Sequence, residues 1–450
     1  LLYRSLYDLV DLNQHHPRIN RYLREMTQLW LATGIDGLRV DTVKHVSLAW
    51  QRSWLQQVYR HRPVYAAGEW YAGRNDWLPE NFRFANESGM HVLDFPVSQR
   101  VRQVFRYRER SLIDLATTMD AAAQAYRRPL DQVLFIDNHD QNRHTLSDAA
   151  EHRRLTEQAL AFILTARGVP SIYYGTEHYQ LGAGHAPVNR PMMASWRRDT
   201  PAFGLISRLA ALRRQHPALQ FGTQRTRWVT PEVYVFEREF AGSVVRVALN
   251  RDSQQAAEVP DTATALPCGA AALPDVLGGR FGGPALPLGC HGRAGAFTLP
   301  PGAIAVWAGP LPSEPVPALG HAAPPLVSPG GLLTLAGRGF GARKGRVWVG
   351  PRAVAGTQVL SWTDRAVTLR LPAGPSEPLD LQLQRADGQR SDVLGGAVDR
   401  LGERLATLRL VVDAPPMAAD ETLWVDIAPA DRHCKARPER DGPFYNRVLY

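Results

Sequence analysis

Three stretches of the chain carry carboxylates in settings suited to nucleophilic and acid–base work. The first is Gly37-Leu38-Arg39-Val40-Asp41-Thr42-Val43-Lys44-His45. In a strand, side chains two apart share a face, so Arg39 and Asp41 point the same way. A guanidinium beside a carboxylate lowers its pKa and orients it, as a nucleophilic aspartate requires. A structural ion pair at a strand end uses the same two residues. The second stretch, Ala66-Ala67-Gly68-Glu69-Trp70-Tyr71, is a run of small residues ending in an acid. The third is Phe135-Ile136-Asp137-Asn138-His139-Asp140, which alone suits a helix cap, a turn or a metal ligand set. Together they predict Asp41, Glu69 and Asp140 at the same end of three strands of one sheet. Clustered carboxylates repel, so at least one keeps its proton near neutrality. An ionised carboxylate facing a protonated one is the equipment for retaining cleavage of a glycosidic bond, with the two groups about 5–5.5 Å apart.

Such a cluster needs a parallel α/β scaffold. Residues 1–200 alternate amphipathic helix with short apolar runs; at 18–32, Ile19, Leu23, Met26, Leu29 and Trp30 recur at helical spacing. Five runs, at 37–41, 64–69, 91–95, 133–137 and 170–174, read as buried strands of a parallel sheet. Barrel and doubly wound folds place active sites just past the carboxyl ends of such strands. From 215 to 308 the pattern turns to period-2 strands with Gly and Pro turns, which predicts an antiparallel sandwich. Further short strands at 332–335, 346–349, 366–371 and 379–383 predict a second, Ig-like sandwich. The division is therefore 1–214 (the α/β part), 215–310 (all-β), 311–324 (a Pro-rich linker), 325–400 (Ig-like) and 401–450 (the start of a further β domain).

Composition narrows the classes. The chain has 450 residues, 44% hydrophobic and 21% charged, which excludes disordered and fibrous proteins. No run of eighteen apolar residues predicts a spanning helix. The net charge of +9 invites a nucleic-acid reading, but the arginines that carry it are scattered singly, so no nucleic-acid partner is expected. Cys268, Cys290 and Cys434 lack metal-ligand spacing; a Cys268–Cys290 disulfide and buried free thiols both remain open. The opening Leu1-Leu2-Tyr3 leaves targeting unreadable.

At these residues the chain resembles the α-amylase superfamily of retaining glycoside hydrolases and transglycosylases (glycoside hydrolase family 13), and within it the cyclodextrin glucanotransferases. The likeness runs through Leu6-Tyr7-Asp8-Leu9-Val10-Asp11-Leu12-Asn13, Phe84-Ala85-Asn86-Glu87-Ser88-Gly89-Met90 and Gly168-Val169-Pro170-Ser171-Ile172-Tyr173-Tyr174-Gly175-Thr176-Glu177. It continues through Asp275-Val276-Leu277-Gly278-Gly279 and Gly337-Arg338-Gly339-Phe340-Gly341. The resemblance implies the later part, about strands 4–8, of a (β/α)8 TIM barrel, followed by an amylase C-terminal sandwich, an IPT/TIG Ig-like domain and the start of a starch-binding domain. It implies Asp41 as nucleophile, Glu69 as general acid/base and Asp140 as the third carboxylate that grips the distorted sugar and keeps Glu69 protonated. Arg39 would hold Asp41, His139 would bond the sugar, Lys44, His45 and Tyr71 would lie on the acceptor side, and Arg190 on the donor side. Asp11 and the backbone of His45 match part of a calcium site, and oxygen ligands suit that cation. Starch and α-1,4-glucan oligosaccharides are the implied substrates, cyclodextrins the implied products, and a secreted monomer the implied form.

Departures from the family pattern carry their own expectations. Five strands against the eight of a closed barrel imply a C-terminal piece of a longer coding sequence, itself inactive. A hydrolytic or maltogenic amylase is the alternative for the longer protein, and a non-catalytic glucan-binding remnant for this chain. Thr42, Tyr71 and Ala186 stand where cyclising enzymes usually carry Ala, Phe and an acid, so added hydroxyls near the acceptor would raise hydrolysis. Trp228 matches a surface sugar-binding position and equally suits a core. Residues 426–441 lose the resemblance, with Lys435 in place of a starch-stacking tryptophan, which suggests paired frameshifts.

Overall fold

The computed structural model describes residues 9–72, 79–184, 188–268, 272–375 and 377–401. The expectations for Ala186 and for residues 402–450, Lys435 among them, lie outside these.

Helix α1 (Pro17–Ala32) leads into β1 (Gly37–Val40), α2 (Leu48–His61) into β2 (Tyr65–Gly68), and α3 (Pro79–Glu87) into β3 (His91–Val92). Helices α4 (Phe95–Val101) and α5 (Leu112–Ala125) precede β4 (Val133–Leu134), and α6 (Ala150–Thr165) precedes β5 (Val169–Pro170). The pairs β1–β2, β2–β3 and β4–β5 are parallel, and a bridge between Leu93 and Val133 joins the two groups. Strand order therefore follows chain order, the sign of a βα barrel wall. The first four strands lie within the apolar runs but are shorter, and the fifth, Val169–Pro170, begins one residue before its run and shares only Pro170 with it. Helix starts follow local chemistry: Ser47 caps α2 by accepting from the Trp50 N–H, and Ser111 and Asp114 form a capping box on α5.

Helix α7 (Pro201–Gln215) closes this part. Beyond it four antiparallel strands run in the order Ile304–Ala308, Ser243–Asn250, Val233–Phe240, Thr223–Val229. Tyr234 and Phe236 from this sheet pack with Phe162 of α6, so one apolar core spans barrel and sandwich. A disulfide joins Cys268 to Cys290.

The Ig-like part is two facing sheets around Leu333, Leu335, Val347, Leu369 and Leu381. Residues 318–323, expected within the linker, form the strand Ala318–Ala323 paired with Leu332–Arg338. The prolines that suggested a linker flank this strand and do not interrupt it, and an edge position tolerates its weak alternation. Among the described residues no helix is long and apolar enough to cross a membrane.

Candidate active site

Strands β1 and β2 position the first two carboxylates. The Glu69 N–H donates to the Val40 carbonyl at 2.7 Å, and the Val43 N–H to the Glu69 carbonyl at 3.3 Å, so the chain segments leaving both strands stay in register past their ends. Gly68 is required here: a Cβ would come within 2.8 Å of both Met90 Sδ and Val43 Cγ1. After Asp41 the backbone turns sharply, with Thr42 at φ 50°, left-handed and rare for a β-branched residue.

Two of the three carboxylates meet at Arg39. Arg39 Nη1 lies 3.0 Å from Asp41 Oδ1, and Arg39 Nη2 lies 2.9 Å from Glu69 Oε1. One guanidinium thus bridges two carboxylates. Glu69 is 5% exposed, whereas the Asp41 side chain is 64% exposed. Burial first, then the hydrogen bond with Asp41, pushes the Glu69 carboxyl up to about 7. The same hydrogen bond, then Arg39, holds Asp41 below the ordinary aspartate value against its partial burial. The two acids are pushed apart in pKa, which suits one to donate a proton and the other to attack.

Asp140 belongs to a second group on the loop after β4. His139 Nε2 lies 2.9 Å from Asp140 Oδ2, and Arg190 Nη2 lies 2.8 Å from Asp140 Oδ1. The Arg190 Nε–H also donates to the His139 carbonyl at 2.8 Å. His139 and Arg190 thus act on Asp140 directly. The negative charge of Asp140 reaches Glu69 and contributes to its raised pKa. Lys44 donates through Nζ to the Tyr71 carbonyl at 2.9 Å, which fixes the segment after Glu69, and Tyr71 is 41% exposed.

Several supporting residues escaped the sequence reading. Asn189, fully buried, donates through Nδ2 to the carbonyls of His139 (2.7 Å) and Gln141 (3.1 Å), clamping the Asp140 loop. Asp137 accepts from the His144 N–H and the Thr176 hydroxyl, both at 2.9 Å, and so anchors the loop's root. Adjacency to Arg190 and to the DNHD motif was the only signal for either.

Asp11 and the His45 carbonyl would supply only part of a calcium site. Asp11 is exposed on the segment before α1, and among the described residues no three His, Cys, Asp or Glu side chains group to hold a metal. One carboxylate and the His45 carbonyl fall short of the six to eight oxygens calcium takes, so no step is routed through it.

A family model, the alpha-amylase catalytic domain, matches residues 1–189. A cyclomaltodextrin glucanotransferase of Niallia circulans is 39% identical over 449 residues, covering 100% of this chain and 62% of the relative. Another, from Bacillus licheniformis, is 40% identical over 450 residues, covering 100% and 61%. Among solved structures, a gamma-CGTase from alkalophilic Bacillus clarkii superposes with a TM-score of 0.83 at 37% identity, covering 89% of this chain and 58% of that one. The chain spans about three fifths of the length of the curated relatives it matches. Partial barrel, antiparallel sandwiches and sequence agree: the chain belongs to the α-amylase family, beside its cyclomaltodextrin glucanotransferases.

Proposed function

We propose that the site performs retaining cleavage of α-1,4-glucan and transfers the glycosyl group to a sugar hydroxyl, closing cyclodextrin rings when the acceptor is the chain's own end. The observation that carries this is Arg39 bridging an exposed Asp41, whose pKa is held low, and a buried Glu69, whose pKa is pushed up to about 7.

Asp41 attacks the anomeric carbon and forms the carbon–oxygen bond of a glycosyl ester. Glu69 gives its proton to the leaving glycosidic oxygen as that bond breaks. In the second half Glu69, now ionised, takes the proton of an incoming hydroxyl, which attacks the same carbon and frees Asp41. Arg39 holds Asp41 ionised and aligned. Asp140, steadied by His139 and Arg190, binds the sugar hydroxyls and disfavours charge on Glu69. Tyr71, Lys44 and His45 shape the acceptor side. Hydroxyls on Thr42 and Tyr71 favour water as a competing acceptor, so a hydrolytic amylase is the second reading.

The chain divides, on this reading, into barrel part (1–214), sandwich (215–310), a short linker (311–317), Ig-like domain (318–400, its first strand Ala318–Ala323) and the start of a starch-binding domain (401–450). The Cys268–Cys290 disulfide supports secretion. Because the 450-residue piece is itself expected to be inactive, the test is mass spectrometry of a Glu69→Gln variant of a whole enzyme bearing this site, with an activated maltosyl fluoride, whose leaving group needs no acid. A glycosyl adduct on the peptide containing Asp41 is expected, and its absence there refutes the assignment. Chromatography of starch products, rings against linear oligosaccharides, separates the two readings.

A further inference from the structure

We propose that a proton-operated latch, His321 on Asp131, holds the Ig-like part against the barrel: it is closed while the imidazole is charged and loosens when rising pH takes the proton away. The latch is independent of the glucan reading. It sits at the amino ends of β2 and β4, whereas Glu69 and Asp140 follow the carboxyl ends of the same strands.

The strand Ala318–Ala323 brings His321 Nε2 to 3.1 Å from Asp131 Oδ1, in the turn Pro129–Asp131 that leads into β4. The two side chains are 30% and 13% exposed, so the pair is sheltered but open to protons. Behind it the Tyr65 hydroxyl donates to the Asp131 carbonyl at 2.6 Å, and the Tyr65 ring stacks on His91 at 5.0 Å. The aspartate is thus fixed to the start of β2, and the histidine comes to it from another sheet.

The rest of the contact keeps its charge over the range that matters. Asp399 accepts from Arg127 Nη2 at 2.9 Å and lies 3.8 Å from Arg52 Nη2. The Ser328 hydroxyl accepts from Arg60 at 3.0 Å and from Gln56 at 3.3 Å. Leu326, 1% exposed, packs into the barrel core against Gly89. None of these groups changes charge between about pH 5 and pH 9. Burial lowers the pKa of His91 to about 4 and lowers that of His216 as well, so both are neutral above their ordinary value of 6.5. His321 is built to titrate there.

The charges that act on His321 come from the barrel. Burial opposes its protonation, Asp131 favours it, and buried Arg128 opposes it; Asp131 wins and the imidazole's pKa is raised. Strands packed on its own carry Arg338, Glu377, Asp380, Asp399 and Arg400. Of these Arg338 donates to the Pro312 carbonyl, Arg400 lies 3.7 Å from Glu377, and Asp399 is taken by Arg127. Asp131 resists burial through His321 and is held at about 2. Docking therefore takes up a proton. The pair's contribution is fully present below 6.5 and is lost as pH rises through the raised value of His321. On the acid side it is lost only as pH falls from 3.8 towards about 2.

The test is hydroxyl-radical footprinting of the full 450-residue chain at pH 6, 7.5 and 9. Oxidation of Leu326 is taken relative to the exposed Leu360 in the same sample, so that the radical chemistry cancels. The ratio should rise about fivefold from pH 6 to pH 9, the upper end for a partly exposed ion pair, while the core residues Leu333 and Leu369 stay unreactive. His321→Gln keeps a hydrogen bond without the proton, so Leu326 should react at pH 6 as it does at pH 9 in the unmodified chain and rise no further. Asp131→Asn should flatten the profile from the barrel side and carries the same prediction should the first variant not fold. Arg127→Gln should raise Leu326 oxidation at every pH and keep the pH step. A flat profile in the unmodified chain overturns the latch, as does a pH step that survives in His321→Gln or Asp131→Asn or vanishes in Arg127→Gln. Leu333 and Leu369 rising in step with Leu326 also overturn it, because the Ig-like part would then be unfolding and not detaching.

Discussion

Two buried glutamates beside arginines, Glu69 in the barrel and Glu237 in the sandwich, are built in opposite ways. Glu237 is 1% exposed and receives Arg246 Nη1 at 2.8 Å, Arg227 Nη2 at 2.7 Å, the Ala265 N–H at 3.1 Å and the Thr264 hydroxyl. Glu69 shares one guanidinium with a second carboxylate. A carboxylate surrounded by donors serves structure. One kept short of donors retains a proton that it can lend. The contrast predicts the largest effect on stability: Glu237→Leu strands the fully buried Arg246 and should destabilise by about 3–5 kcal/mol, read as a lower urea midpoint at unchanged slope. Glu69→Gln relieves like-charge crowding and should leave the midpoint unchanged or higher. If Glu69→Gln is the more damaging, the contrast is wrong.

The shared guanidinium sharpens the same comparison. Arg39→Met leaves Asp41 and Glu69 facing each other without a cation, so both carboxyls move up and the nucleophile is partly protonated. Adduct formation from the activated fluoride should slow by about 100-fold, near 2.7 kcal/mol. Arg39→Lys should recover little, because one ammonium cannot hold two carboxylates as a planar fork does. Full recovery by lysine would mean that charge alone, without geometry, sets the site.

A pH profile tests Glu69 with a smaller effect. The folded pKa of Glu69, about 7, lies above its ordinary value of 4.5. The stability tied to its proton is therefore fully present below about 4.5 and is lost as pH rises through about 7. Proton donation to a leaving sugar should fall over the same window, while the acid limb, set by Asp41, lies below the usual aspartate range. Urea midpoints at pH 5 and pH 8 should differ less in Glu69→Gln than in the unmodified chain, and an equal difference would place the titration elsewhere.

How much of this was legible in the sequence follows from what is local. Period and spacing placed the first four strands and put Arg39 and Asp41 on one face, because a strand's faces alternate. The resemblance supplied the roles. The clamps were not legible: Asn189 reaches the Asp140 loop, some fifty residues earlier, through side-chain geometry that no local pattern encodes. Nor was Arg39 legible as a bridge, since Glu69 reaches it only through the parallel register of β1 and β2. The strand Ala318–Ala323 was hidden because an edge strand flanked by prolines has the composition of a linker.

The smallest effect concerns Thr42, where the active-site strand and the sandwich differ again. The sandwich strands Val233–Phe240 and Ser243–Asn250 turn at Ala241-Gly242, both left-handed in a hairpin turn that demands it. Thr42 is left-handed with a branched Cβ, beside the nucleophile, at a kink that seats the buried Val43 under Gly68. Strain in that setting costs about 1–2 kcal/mol, and glycine would relieve it while losing about 0.5–1 kcal/mol to its freer unfolded chain. Thr42→Gly should therefore stabilise slightly, by about 0.5 kcal/mol in urea. Thr42→Ala keeps most of the strain but removes the hydroxyl, so stability should barely move while the ratio of ring formation to hydrolysis rises in an active enzyme bearing this site. A marked stabilisation by alanine would put the cost of Thr42 in its hydroxyl and methyl, leaving the backbone turn unstrained.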